Sequence, residues 1–212
     1  MHIYKFSWIV IFIPLILGLI KYKQLDKSLK IVFYFVLFGT ATEVFTKIYS
    51  TFFFKNTMPI GHVYITLSFL IMGLFYFNEL KAYVNKKIIV GLIFLFEIFS
   101  VINVIFIQSI FDFANITGAI GAMILFLFSI VLFSKVMTEA KIEKLSKEPI
   151  LWINTAVLIY YSGNFFYYVL FNYSLTISME FATTTVKFAM GLNILFYLFV
   201  AVGFLKVKKQ LI

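Results

Sequence analysis

Seven long apolar runs follow one another along the chain, each closed by a short charged or polar stretch. They cover residues 4–20, 30–50, 61–80, 87–107, 115–136, 150–171 and 184–205. About 20 apolar residues in a helix cross a hydrocarbon core about 30 Å thick. The pattern therefore predicts an all-α, polytopic integral membrane protein: a single seven-transmembrane helix bundle over residues 1–212. Pro59 and Pro149 punctuate the breaks before the third and sixth runs. The first run reads as a spanning helix kinked or started near Pro14. A secretory leader is disfavoured, because no small-residue cleavage site follows and the run ends in Lys21-Tyr22-Lys23.

Charge orients the bundle. Lys21, Lys23, Lys27 and Lys30 fall in the first break, Lys81, Lys86 and Lys87 in the third, and Lys135, Lys141, Lys144 and Lys147 in the fifth. Lys206, Lys208 and Lys209 follow the last run. These fourteen share one side, whereas only Lys5, Lys47, Lys55 and Lys187 belong to the other. Cytoplasmic loops carry the excess of basic residues, so the N-terminus is expected outside and the C-terminus in the cytoplasm of a cell (inner or plasma) membrane. A missed span would scramble this alternation. Aromatic residues at run ends (Tyr4, Tyr22, Tyr49, Tyr64, Tyr83, Trp152, Tyr173) fit interfacial belts. The 135–148 segment mixes four lysines with three glutamates and is expected to extend a helix.

Composition removes several functions. The chain is 63% hydrophobic and 13% charged, against about 25% charged in a soluble domain, so lipid is the solvent for most side chains. The net charge of +9 lies in membrane-flanking loops, which leaves no nucleic-acid signal. Arginine is absent, consistent with codon bias in an AT-rich genome. Cysteine is absent too, so disulfides and thiol chemistry are excluded. Two histidines, His2 and His62, are too few for an intramembrane zinc hydrolase, and no metal or other cofactor is expected. No nucleophile elbow, Ser-His dyad or phosphate-binding glycine loop occurs, so no catalytic residue is assigned. A rhodopsin needs a lysine in the middle of the seventh helix and carboxylates on the third. Lys187 lies too near the helix end, and the third run has no carboxylate in its body.

Ionisable and polar groups inside spans are costly and mark candidate sites. Glu97 lies ten residues past Lys87, about 15 Å into the core, with Ser100 and Asn103 beyond it. It reads either as the floor of a polar pocket or as an inter-helix bond. Glu43 and Lys47 stand at the i, i+4 spacing on the second run, in a stripe with Thr40, Thr46 and Ser50. They read as a cavity wall or as a self-neutralising interfacial pair. His62 opens the third run with Thr66 one turn below. The stretch Tyr160-Tyr161-Ser162-Gly163-Asn164-Phe165-Phe166-Tyr167-Tyr168 is the densest polar-aromatic patch, suited to a small-molecule site or to close helix packing. Asn193 is expected to face the bundle, and Gly118 and Gly121 to mark tight packing. Glu43, Lys47, His62, Thr66, Asn103, Asn164, Lys187 and Asn193 fall in the outer halves of their runs, whereas the inner halves are nearly clean apart from Asn154 and Thr155. A ligand site of Glu43, Lys47, His62, Thr66, Glu97, Asn103, Tyr161, Asn164 and Asn193, open outward and sealed below, is the expectation.

The stretches Met58-Pro59-Ile60-Gly61-His62-Val63-Tyr64, Glu148-Pro149-Ile150-Leu151-Trp152-Ile153-Asn154 and Ile159-Tyr160-Tyr161-Ser162-Gly163-Asn164-Phe165-Phe166 resemble seven-helix sensor-like membrane modules of Bacteroidetes-type bacteria. Some such modules precede histidine kinases. The resemblance implies sensing across the membrane, and since this chain stops at Ile212 the output is expected to pass to a separate protein. The expected function is a receptor-like module that binds a lipid or small amphipathic molecule in an outward cavity. It would meet a cytoplasmic partner through 135–148 and the lysine-rich tail. A non-catalytic subunit or scaffold of an envelope complex, a small transporter or channel, and a lipid-modifying enzyme are the alternatives.

Overall fold

A computed structural model describes residues 9–53, 56–139 and 147–207. These residues form seven α-helices: α1 Phe12–Lys21, α2 Lys27–Phe53, α3 Met58–Leu80, α4 Lys86–Ile102, α5 Asn115–Glu139, α6 Pro149–Ile177 and α7 Met179–Leu205. Every apolar run thus contains a helix. Residues 4–8 of the first run, with Tyr4 and Lys5, lie outside the described residues, as do Lys55, residues 140–146 and the tail from Lys208.

Helix starts follow local chemistry. Side-chain oxygens accept the backbone N–H groups that a first turn leaves unpaired: Asp26 from Leu29 at 2.8 Å, Asn85 from Lys87 at 3.0 Å, and Ser178 from Phe181 at 3.1 Å. Pro59 and Pro149 sit in the first turns of α3 and α6, where a missing N–H costs nothing. Pro14 is a buried residue near the start of α1.

Among the described residues, five helical stretches are long and apolar enough to cross a membrane: Lys27–Phe53, Met58–Leu80, Lys86–Ile107, Asn115–Glu139 and Met179–Leu205. They define a helical, multi-pass membrane-type protein. The described part of α1 is only 10 residues long, and α6, with 29, carries the tyrosines, asparagines and serines that dilute its apolar character.

Six helices close a ring in the order α1, α2, α3, α5, α6, α7, with α7 packed back on α1. α4 stands outside it, packed on α3 and only lightly on α5. Phe35, Phe69, Phe75, Tyr76 and Phe204 fill the core almost without exposure. Successive helices alternate in direction, so one end of the bundle gathers Lys21, Lys81 and Lys135, while the other carries Lys47 and Lys187.

Side chains staple the lysine-rich end. Ser28 Oγ donates to the Glu79 carboxylate and accepts from Asn78 Nδ2 at 2.6 Å, tying α2 to α3. Lys135 Nζ donates to the Glu79 carbonyl at 2.6 Å, tying α5 to the same turn. The Lys21 ammonium donates to the carbonyls of Leu205 at 2.9 Å and Val207 at 2.7 Å. These close the C-terminus of α7, where unpaired carbonyls attract a cation. Lys21→Met keeps the aliphatic stem and removes the charge. Its expected cost is about 1 kcal/mol, read as a lower denaturation midpoint in detergent; an unchanged midpoint would mean that water replaces the ammonium.

Candidate functional site: an aromatic recess at the lysine-poor end

Four helices and a loop enclose a recess of about 440 Å³ at the lysine-poor end. α2 contributes Gly39, Thr42, Glu43 and Thr46, the i, i+3, i+4, i+7 positions of a single helical face. α3 contributes Gly61, Tyr64 and Ile65, following Thr57 and Ile60 on the same stripe. Tyr167, Tyr168 and Phe171 come from α6, which lies across the ring from α2, and Val186 comes from α7. Phe113 and Ala114 of the loop between α4 and α5 complete the wall.

That loop is held from several directions. α4 ends in a π-helical turn, Asn103–Ile107, closed by a bond from Gln108 N–H to the Asn103 carbonyl at 2.7 Å. Gln108 Nε2 donates to the Phe113 carbonyl at 2.7 Å and to Asn115 Oδ1 at 2.5 Å, and its Oε1 accepts from Asn103 Nδ2 at 3.3 Å. Asn56 Nδ2 donates to the Phe111 carbonyl at 2.7 Å, and His62 Nε2 to the Asp112 carbonyl at 3.0 Å. The loop thereby sets the Phe113 ring 4.7 Å from that of Phe171, 5.4 Å from Tyr167 and 5.7 Å from Tyr168, centroid to centroid.

Glycines admit the tyrosines. A Cβ on Gly118 would stand 2.5 Å from the Tyr168 ring, so that ring fits only because α5 has no side chain there. A Cβ on Gly39 would lie 3.2 Å from the Tyr197 hydroxyl and 3.6 Å from that of Tyr64. Beneath the recess a smaller cavity of about 30 Å³ is lined by Tyr64, Ser68, Tyr160, Tyr161 and Tyr168. Deeper still, the Tyr76 hydroxyl donates to Asn154 Oδ1 at 2.8 Å, and Asn154 Nδ2 donates to the Ser129 carbonyl at 3.0 Å. Ser129 Oγ returns a bond to the Asn154 carbonyl at 3.1 Å.

The structure separates the predicted site residues. Glu43 lines the recess, and Tyr161 lines the small cavity below it. Lys47 is exposed and off the wall, while Thr40 is buried and bonds back to the Val36 carbonyl, so the lining stripe of α2 runs through Gly39, Thr42 and Thr46 instead. His62 and Asn103 are buried supports of the loop. Thr66 bonds to the His62 carbonyl and to Ser100 Oγ, joining α3 to α4. Glu97 is half-buried on α4, outside the ring, and its Oε1 has no partner among the described residues; it is not a floor to the recess. Asn164 is buried and donates to the Tyr160 carbonyl of its own helix rather than across helices. Asn193 is half-buried on α7 and does not line the recess. Phe113, Thr42, Tyr64 and Phe171 line the recess without being expected there, whereas Tyr167 and Tyr168 belong to the polar-aromatic patch that the sequence marks. The aromatic run of α6 was the available signal; nothing local marks Phe113.

Chemically the wall offers one carboxylate, threonine hydroxyls, the aromatic rings of Tyr64, Phe113, Tyr167, Tyr168 and Phe171, and aliphatic surface between them. Among the described residues no three of His, Asp and Glu gather into a metal site. The arrangement suits holding a molecule that is apolar over most of its surface and polar at one end. Compared with family models, curated proteins and solved structures, the chain matches none.

Proposed function

We propose that the chain is a receptor-like module of the cell (inner or plasma) membrane, crossing it seven times with its N-terminus outside. Its recess faces outward and binds a lipid or small amphipathic molecule, and occupancy is passed to a separate cytoplasmic partner at 135–148 and the tail. The observation that carries this reading is the 440 Å³ recess between α2, α3, α6 and the Phe113 loop. A space of that size suits a small ligand. The lysine asymmetry supports the orientation. The filled core beneath, with Phe75, Tyr76 and Phe204 almost without exposure, favours a receptor over a transporter or channel, which needs a polar path through both leaflets. Resemblance to sensor-like modules points the same way.

Gly61 provides the test. It lines the recess, and a Cβ there would meet nothing within 4 Å. Gly61→Phe should therefore direct its ring into the recess and fill it, and loss of a helical glycine offsets strain elsewhere by about 0.5 kcal/mol. Mildly extracted wild-type protein should retain a bound lipid or small molecule in native mass spectra, and Gly61→Phe should lose it at an undiminished melting temperature. Adducts that are equal in both proteins, or absent from the wild type, would overturn the reading.

A further inference from the structure

We propose that the ligand of the recess is an organic cation, a quaternary or primary amine carried on an apolar body. This rests on the reading of the recess as a binding site and names what that site selects. Three features of the wall lead there. Among the described residues that line the recess Glu43 is the sole charged one, which places a negative charge on one wall. Facing it across the ring are the aromatic side chains of α6, Tyr167, Tyr168 and Phe171, drawn into one cluster by Phe113, with Tyr64 between. Aromatic rings attract cations through their negative faces, and the exposed Glu43 carboxylate on the opposite wall adds direct charge pairing. An anion would meet the opposite: the carboxylate repels it, and among the described residues no lysine or histidine lines the wall. The His62 Nε2 proton is committed to the Asp112 carbonyl. Lys47 acts on the Glu43 carboxylate from an exposed position one turn further along α2. It therefore competes with a bound cation for the same charge.

A neutral ligand would need donors and acceptors rather than charge. The wall offers these only as threonine and tyrosine hydroxyls, of which that of Thr42 already donates to the Phe38 carbonyl. The shared chemistry, an alkylammonium, comes either as a free amine or as the headgroup of a zwitterionic lipid.

The experiment measures binding to the full chain, purified in a non-ionic maltoside detergent, by titration calorimetry. The probes are choline and 3,3-dimethylbutan-1-ol, which replaces the charged nitrogen by carbon at constant shape. Choline should bind at least ten-fold more tightly than the alcohol. Glu43→Gln should weaken choline by ten-fold or more and leave the alcohol unchanged. Lys47→Met should tighten choline, and Phe113→Leu, which keeps apolar bulk but removes the ring, should weaken choline alone. Equal binding of choline and the alcohol, both blocked by Gly61→Phe, would overturn the cation inference and leave the recess standing as a site. Binding of neither probe to the wild type would overturn both. Short-chain phosphatidylcholine binding more tightly than choline, with phosphatidylglycerol excluded, assigns the cation to a lipid; choline the tighter of the two assigns it to a free amine.

Discussion

Asn154→Ala is expected to destabilise the protein by about 3 kcal/mol, the largest effect of any single truncation considered. Asn154 is wholly buried, and its amide serves two other helices at once: Tyr76, reaching across from α3, and Ser129 on the adjacent α5. Truncation removes two bonds, strands a tyrosine hydroxyl in apolar surroundings and leaves a void. A bond between helices in a membrane is worth about 0.6 kcal/mol on average, so most of the loss comes from the stranded hydroxyl and the void. The double variant Asn154→Ala/Tyr76→Phe removes the hydroxyl as well and should recover about 1 kcal/mol relative to adding the single costs. Denaturation midpoints of the four proteins measure this coupling. Additive losses would show that the hydroxyl finds another partner and that the network is not one unit.

Gly118→Ala should cost about 2 kcal/mol, although alanine is the better helix former. Its new methyl would sit 2.5 Å from two carbons of the Tyr168 ring, and the ring cannot yield freely because Phe113 and Tyr167 pack against it. The ring must move toward the recess or α5 must part from α6. The stability loss should therefore come with weaker ligand retention, since Tyr168 is part of the wall. In a Tyr168→Ala background the clash is gone, and Gly118→Ala should become neutral or stabilising. Equal destabilisation in both backgrounds would mean that the ring is not what the glycine accommodates.

Depth along each helix was legible in the sequence, and direction around it was not. Twenty-residue apolar runs and the breaks between them place each helix, with Pro59, Asn85 and Pro149 at starts, but α6 continues to Ile177 and α7 begins at Met179, so the expected break over 172–183 shrinks to Ser178. In a membrane, however, the side facing lipid is as apolar as the side facing the core, so hydropathy does not mark an inner face. On α2, Thr42 and Thr46 share the lining face with Glu43, whereas Lys47, one turn beyond Glu43, is rotated about 40° further round to the edge of that face and is exposed. Glu97 is the plainest case. Its mid-run depth suggested a pocket floor, yet α4 stands outside the ring, and only the packing order of the helices reveals that. His62 and Asn103 read as ligand contacts because their usual alternative, supporting a loop, requires knowing that Asp112 and Gln108 fold back on them. Phe113 could not be assigned at all, since its place depends on the π-helical turn and on hydrogen bonds from Asn56 and His62.

The junction of α1 with α7 has a bearing on biogenesis. The Lys21 side chain waits for carbonyls that the ribosome supplies 184 residues later, and α7 is the partner of both α6 and α1. Until that helix inserts, the nascent protein is an open arc with two unzipped edges. Such long-range closure is slow relative to local pairing, so premature termination before α7 would expose both edges to quality-control proteases, whereas loss of the marginal α4 contacts would leave the circle shut.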